Sequence, residues 1–132
     1  MGYGMTIRLD TPFAETTEKV RAALQEQGFG VLTEIDVQAT LRNKLGAEVE
    51  DYLILGACNP QLAQQALNVD RQIGLLLPCN VVVRSDGAET VVEALDPQVM
   101  VSVAERDELA PVADEATRRL TAALETLASA TI

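Results

Sequence analysis

The sequence predicts one domain of mixed α and β structure: a sheet, helices packed on one of its faces, and a long C-terminal helix. Three observations predict it. Several short segments alternate apolar and polar residues with period two, as strands with one buried face do. Two further stretches, Asp51 to Cys58 and Ile73 to Val83, are apolar almost without alternation, as expected of central strands covered on both faces. From Leu109 onward the apolar residues keep helical period for about five turns. Residues 1–132 suffice for one domain of ordinary size and not for two. At this length folding buries roughly two thirds of the surface that the unfolded chain exposes, so a core forms without disulfides or metals.

The elements follow in order. Tyr3, Met5, Ile7 and Leu9 alternate with Gly4, Thr6 and Arg8, which predicts the first strand. Thr11-Pro12 offers an N-cap and a proline at the first helical position, and Glu15 complements the helix dipole. Phe13, Val20, Ala23 and Leu24 line one face of that helix, which Gly28 stops. Phe29, Val31, Thr33 and Ile35 predict a second alternating strand. Asp36 caps a short helix carrying Val37, Leu41 and Leu45, with Lys44 in its last turn and Gly46 after it.

The two apolar strands, Asp51 to Cys58 and Ile73 to Val83, are joined by a helix. Asn59-Pro60 repeats the cap-plus-proline pattern there, and Leu62, Ala63, Ala66 and Leu67 form the helix face. Pro78 cannot donate to a central ladder, so the second of these strands is kinked where Cys79 sits. Ser85-Asp86-Gly87-Ala88 is a turn leading into Thr90 to Leu95, which makes a hairpin. Val99, Val101 and Val103 predict a last short strand. Val112, Ala113, Ala116, Leu120, Ala123, Leu124 and Leu127 then define the C-terminal helix. Strands covered on both faces need two covering layers, and helices on one face supply only one. A second copy of the chain is the economical other cover, so a homodimer is expected. Helices on both faces of a mixed sheet are the alternative.

Composition excludes more functions than any motif adds. Ten Lys plus Arg against twenty Asp plus Glu leave a net charge of −10 with no basic block, which repels phosphate backbones and anionic bilayer surfaces. Nucleic acid and membrane are therefore not expected partners, and no apolar run approaches the ~18 residues of a membrane span. The chain has no histidine, so it has no Ser-His-Asp or Cys-His pair, no imidazole metal ligand and no imidazole base. MGYGMTIRLD lacks the basic and apolar regions of a secretory leader, which points to a cytoplasmic protein.

What remains is two cysteines, each followed by asparagine: Cys58-Asn59 and Cys79-Asn80. If their strands are parallel neighbours in a right-handed crossover, both thiols lie near strand carboxyl ends, where open α/β sheets bind ligands. Cys58 then also sits beside a helix N-terminus, which favours thiolate. Against this, free cysteine usually packs as a small buried hydrophobe, and Asn59 and Asn80 have plain roles as a cap and a turn or bulge residue. Two cysteines cannot complete a four-ligand zinc site within one chain. Two from each subunit of a dimer can, and a thiolate pair can hold a soft ion such as Cu(I). A disulfide would close a loop of about twenty residues, worth up to ~3 kcal/mol, although reducing cytosol disfavours it. Most carboxylates fall on polar helix faces. Glu34, Asp36 and Asp96 lie nearer strand ends and can reach a cleft, but no pair has the spacing of an acid and base dyad.

Leu55-Gly56-Ala57-Cys58-Asn59-Pro60, Ala63, Ala66-Leu67 and Gly74-Leu75-Leu76-Leu77-Pro78-Cys79-Asn80-Val81-Val82-Val83 resemble the family called domain of unknown function 302. The resemblance extends through Gly28-Phe29-Gly30-Val31-Leu32, Glu34-Ile35-Asp36-Val37, Lys44-Leu45-Gly46, Asp96-Pro97 and the final helix, with the two Cys-Asn dipeptides its most specific marks. It implies an α+β domain of TATA-binding-protein-like fold, a curved antiparallel or mixed sheet with helices on it, often dimeric, and it implies no established activity. The reading favoured over an enzyme is a homodimeric binding module for a small ligand or soft metal near Cys58, Asn59, Cys79 and Asn80. The alternatives are a thiol enzyme or redox sensor, with Cys58 reactive and Cys79 resolving, and a structural or interaction protein with inert cysteines.

Overall fold

A computed structural model describes residues 2–129. Among the described residues five strands and five α-helices follow along the chain: β1 (Gly4–Leu9), α1 (Phe13–Glu26), β2 (Gly30–Asp36), α2 (Val37–Leu45), β3 (Tyr52–Cys58), α3 (Pro60–Val69), β4 (Cys79–Asp86), β5 (Glu89–Leu95), α4 (Gln98–Ala104) and α5 (Ala110–Ser129). The strands form one open sheet in the order β1-β5-β4-β3-β2, and every neighbouring pair is antiparallel. The α+β class, the helix layer and the long last helix are as the sequence predicts.

The inward side chains of three central strands form the floor of the core: Leu53, Leu55 and Ala57 of β3, Val81 and Val83 of β4, Val92 and Ala94 of β5. Val20, Ala23 and Leu24 of α1 and Leu120, Ala123, Leu124 and Leu127 of α5 form its roof. A second cluster lies beyond the sheet. There Leu62 and Ala66 of α3 pack with Ile73, Met100, Leu109 and the first turns of α5 at Val112 and Ala116.

On the other face, side chains of both signs pair across strands: Arg84 with Glu93 at 3.0 Å and Arg8 with Asp86 at 2.8 Å. That face also carries apolar side chains. Ile54 and Val82 are half-buried and Ile35 is 50% exposed; Leu32, at the bulge of β2, is exposed as well.

Four local expectations are corrected. First, the stretch from Ile73 to Val83 is not one strand. Arg71–Leu76 forms a 3-10 helix, opened by Asp70 Oδ1 accepting from Gln72 N at 3.0 Å, and β4 begins only after Pro78 at Cys79. Ile73 is buried in the second cluster and not in the sheet. An apolar run has the same composition whether it enters a strand or caps another core, so periodicity cannot separate the two.

The second correction follows from the first. The residues expected to climb back along a parallel strand are spent in the 3-10 helix, so the chain re-enters the sheet at the end where it left. Ala57 therefore pairs with Cys79, and β4 runs antiparallel to β3. Cys58 ends one strand and Cys79 begins the next. The thiols are not both at carboxyl ends.

Third, Val99, Val101 and Val103 lie in α4 and not in a strand. Asp96 Oδ1 accepts from Gln98 N at 2.9 Å and starts that helix, which buries Met100 and leaves Val103 exposed. Fourth, Thr11 does not cap α1. Pro12 occupies the cap position, and Thr11 Oγ1 instead hydrogen-bonds Thr16 Oγ1 at 2.6 Å while the Thr11 carbonyl accepts from Thr90 Oγ1 at 2.7 Å. The threonine ties the β1–α1 turn to β5.

The second strand also departs from simple alternation. A bulge between Val31 and Thr33 sends Val31 toward the core with Ala57, and Thr33 and Ile35 to the outer face with Gly56 and Ile54. A bulge inserts one residue and switches the face of everything after it.

Candidate functional site

The connection from β3 to β4 builds the site. Asn59 leaves the strand in extended geometry, its Oδ1 accepts from Leu62 N at 3.1 Å, and Pro60 supplies the first helical residue. A proline at that position lacks only a donor that has no intrahelical partner, so the helix starts one residue after Cys58. Asn59 is 6% exposed and no buried side-chain polar atom is left without a partner among the described residues. Its side-chain oxygen is thus committed to the helix.

Cys58, Asn59 and Cys79 line one small pocket of about 20 Å³, walled by Phe29, Leu62, Leu77 and Met100 among others. Cys79 forms buried floor and Cys58 is half-buried; both are free thiols. Asn80 is not part of this pocket. It is exposed and pairs with Gly56 one position further along β4. Gly56 itself is fixed by its neighbours: a Cβ there would collide with Thr33 Oγ1 and lie 2.8 Å from Pro78 Cγ.

The electrostatics differ from the helix-dipole expectation. Burial pushes the Cys79 thiol up to about 11, and the nearby Cys58 adds to the rise. Burial also raises Cys58, despite the adjacent α3 N-terminus. Desolvation disfavours the charged form of any thiol, and here it outweighs the dipole. Both thiols are protonated at neutral pH.

Sequence reasoning missed Met100. It is 6% exposed, comes from α4 some forty residues after Cys58, and is a third sulfur-bearing residue in the pocket lining. The signal was hidden because the valines around it read as a strand.

A second cleft, of about 250 Å³, opens between α1 and the ends of β2 and β3. It gathers Glu34 and Asp36, two of the three carboxylates expected to reach a cleft, with Glu18, Asp51 and Arg21. Each is engaged: Arg21 Nη2 holds Glu34 at 2.8 Å, and Asp36 Oδ1 accepts from Ala39 N at 2.9 Å. Asp51 Oδ2 accepts from Ser85 Oγ at 3.4 Å. Asp96, the third, is spent on the start of α4. Among the described residues no group of three or more His, Cys, Asp or Glu is placed to hold a metal ion, and no helix is long and apolar enough to cross a membrane.

The same architecture exists in a solved structure. A crystal structure of an uncharacterized conserved DUF302 protein from Bacillus stearothermophilus superposes with a TM-score of 0.88 at 31% identity, over 95% of this chain and 98% of that one. No curated protein matches the chain. The family model described as domain of unknown function DUF302 matches residues 5–127, nearly the whole chain, and with these two agreements the protein belongs to the DUF302 family.

Proposed function

We propose that this chain is a homodimeric, cytoplasmic binding module whose site is the small pocket lined by Cys58, Asn59 and Cys79. The observation that carries the reading is the convergence of Cys58, Asn59 and Cys79 on one small cavity. The two strand ends arrive there because the β3–β4 connection returns to its starting level. Protonated, desolvated thiols are poor nucleophiles, which favours binding over thiol catalysis. Two free cysteines suit a reducing compartment. The outer sheet face, with Ile35 exposed beside half-buried Ile54 and Val82 and with exposed Leu32 at the nearby bulge, offers a second copy an apolar strip flanked by both signs of charge.

Native mass spectrometry of the purified chain tests both parts. The expected spectrum is a dimer carrying extra mass that Cys79→Ser removes. A monomer without added mass, unchanged by that substitution, would reject the proposal.

One observation favours a second reading. Strand spacing and the Ala57–Cys79 register place the Cys58 and Cys79 Cα atoms about 6 Å apart, within disulfide range. A redox sensor would use this pair, with both thiols oxidised by an external disulfide or peroxide acceptor. A mass loss of about two hydrogens on mild oxidation, reversed by reductant, would support it. Two alkylatable thiols after oxidation would end it.

A further inference from the structure

We propose that Cys58, Cys79 and Met100 together hold one soft monovalent metal ion of the copper(I) kind. The inference rests on the binding reading above and gives the pocket its occupant.

Size comes first. A cavity of about 20 Å³ has room for a single atom or one water, so a lone ion fits it without rearrangement. A water is a poor occupant, since it needs two to four polar partners. Phe29, Leu62 and Leu77 offer none, and the Asn59 carbonyl oxygen is already committed to Leu62 N.

Donor chemistry comes second. The lining includes two cysteines and one methionine, from three separate elements: the end of β3, the start of β4 and the middle of α4. Thiolate and thioether sulfur select soft ions, of which Cu(I) is the biological example. A closed zinc site takes four ligands, usually His and Cys, and these three sulfurs do not complete one. Two- and three-coordinate sulfur sets satisfy copper(I).

Charge comes third. On binding, the two S–H bonds break, two Cu–S bonds form, and both protons leave to solvent. Met100 donates a lone pair and no proton, and copper stays in the +1 state, so no oxidant or reductant is consumed. The bound group carries one net negative charge, beside the N-terminus of the ten-residue α3, where the helix dipole favours it.

The test uses the reduced full-length chain and copper(I) delivered from its bicinchoninate complex without oxygen. One copper per chain, two protons released per copper, and X-ray absorption with three sulfur scatterers are the expected results. Cys58→Ser and Cys79→Ser each lower affinity at least a hundredfold. Met100→Leu keeps the wild-type circular dichroism and weakens binding at least tenfold. Equal affinity of Met100→Leu and wild type, or only two sulfur scatterers, overturns the three-sulfur site while leaving the pocket reading intact. A folded wild-type chain that takes no copper, yet carries a copurified molecule lost in Cys79→Ser, overturns the metal and retains the pocket. Neither copper nor copurified mass overturns both.

Discussion

Ala57 and Cys79 face each other across β3 and β4, Ala57 wholly buried and Cys79 8% exposed, both on the inward face of the sheet. This pairing places the second thiol against the protein interior and not at a solvent-filled cleft. It also sets the cysteine chemistry, since desolvation at that position holds the thiol protonated.

The raised Cys79 pKa makes stability fall in alkali. The folded value of about 11 lies above the ordinary thiol value of 9.0, so the folded chain keeps its proton where the unfolded chain has lost it. The stabilisation is fully present below pH 9 and is lost as pH rises from about 9 through 11, on the order of 2–3 kcal/mol. Urea midpoints at pH 8 and pH 11 will show the drop. In Cys79→Ala, from which the group is gone, the two midpoints will lie closer together by that amount. Alkylation at pH 7 will label Cys58 before Cys79.

Gly56→Ala will destabilise the fold by about 1–3 kcal/mol, the usual cost of overpacking. The new methyl meets Thr33 Oγ1 and Pro78 Cγ. Thr33→Ala removes one of the obstructions, so the double variant will recover part of the loss in denaturant melts. Additive losses would show that Thr33 is not the obstruction.

Where local chemistry alone sets the structure, the sequence was readable. Asp36 and Asn59 cap the helices that follow them because each has the acceptor the helix needs, and the long period of Leu120, Leu124 and Leu127 admits only a helix. The failures share one cause. Ile73, Met100 and Val101 enter a second core formed by distant elements, and an apolar residue gives no local sign of which core it will join. The antiparallel course of β4 was hidden by the same segment. Cys58, Asn59 and Cys79 were identifiable because they are chemically distinct, whereas Met100 had no such mark, and Asn80 was grouped with them only by its neighbour.

Asn59→Ala will lower the unfolding midpoint more than a typical cap substitution. The amide accepts from Leu62 N, and Asn59 is 6% exposed, so its removal leaves a buried donor unpaired. Loss of an N-cap costs about 0.5–2 kcal/mol, and burial puts this one at the upper end. Asn59→Ser retains the acceptor and will restore most of the stability. Equal losses in the alanine and serine variants would show that the side-chain oxygen is not what matters there.

The proposed dimer makes a separate demand on the outer face. Ile35 and Leu32 stand exposed on β2, an edge strand, and Ile35 pairs with Ile54 on the same face. Neither belongs to the core beneath the helices, so charged residues there cost little folding stability, within about 0.5 kcal/mol. Placing Glu at both positions in a chain already at −10 adds like charge on each side of a twofold interface. Light scattering across a concentration series will show the wild type as a dimer and the Leu32→Glu, Ile35→Glu variant as a monomer with an unchanged circular dichroism spectrum. Copper binding, if each pocket is complete within its own chain, will be the same in the monomer. A variant that stays dimeric would place the interface elsewhere on the fold.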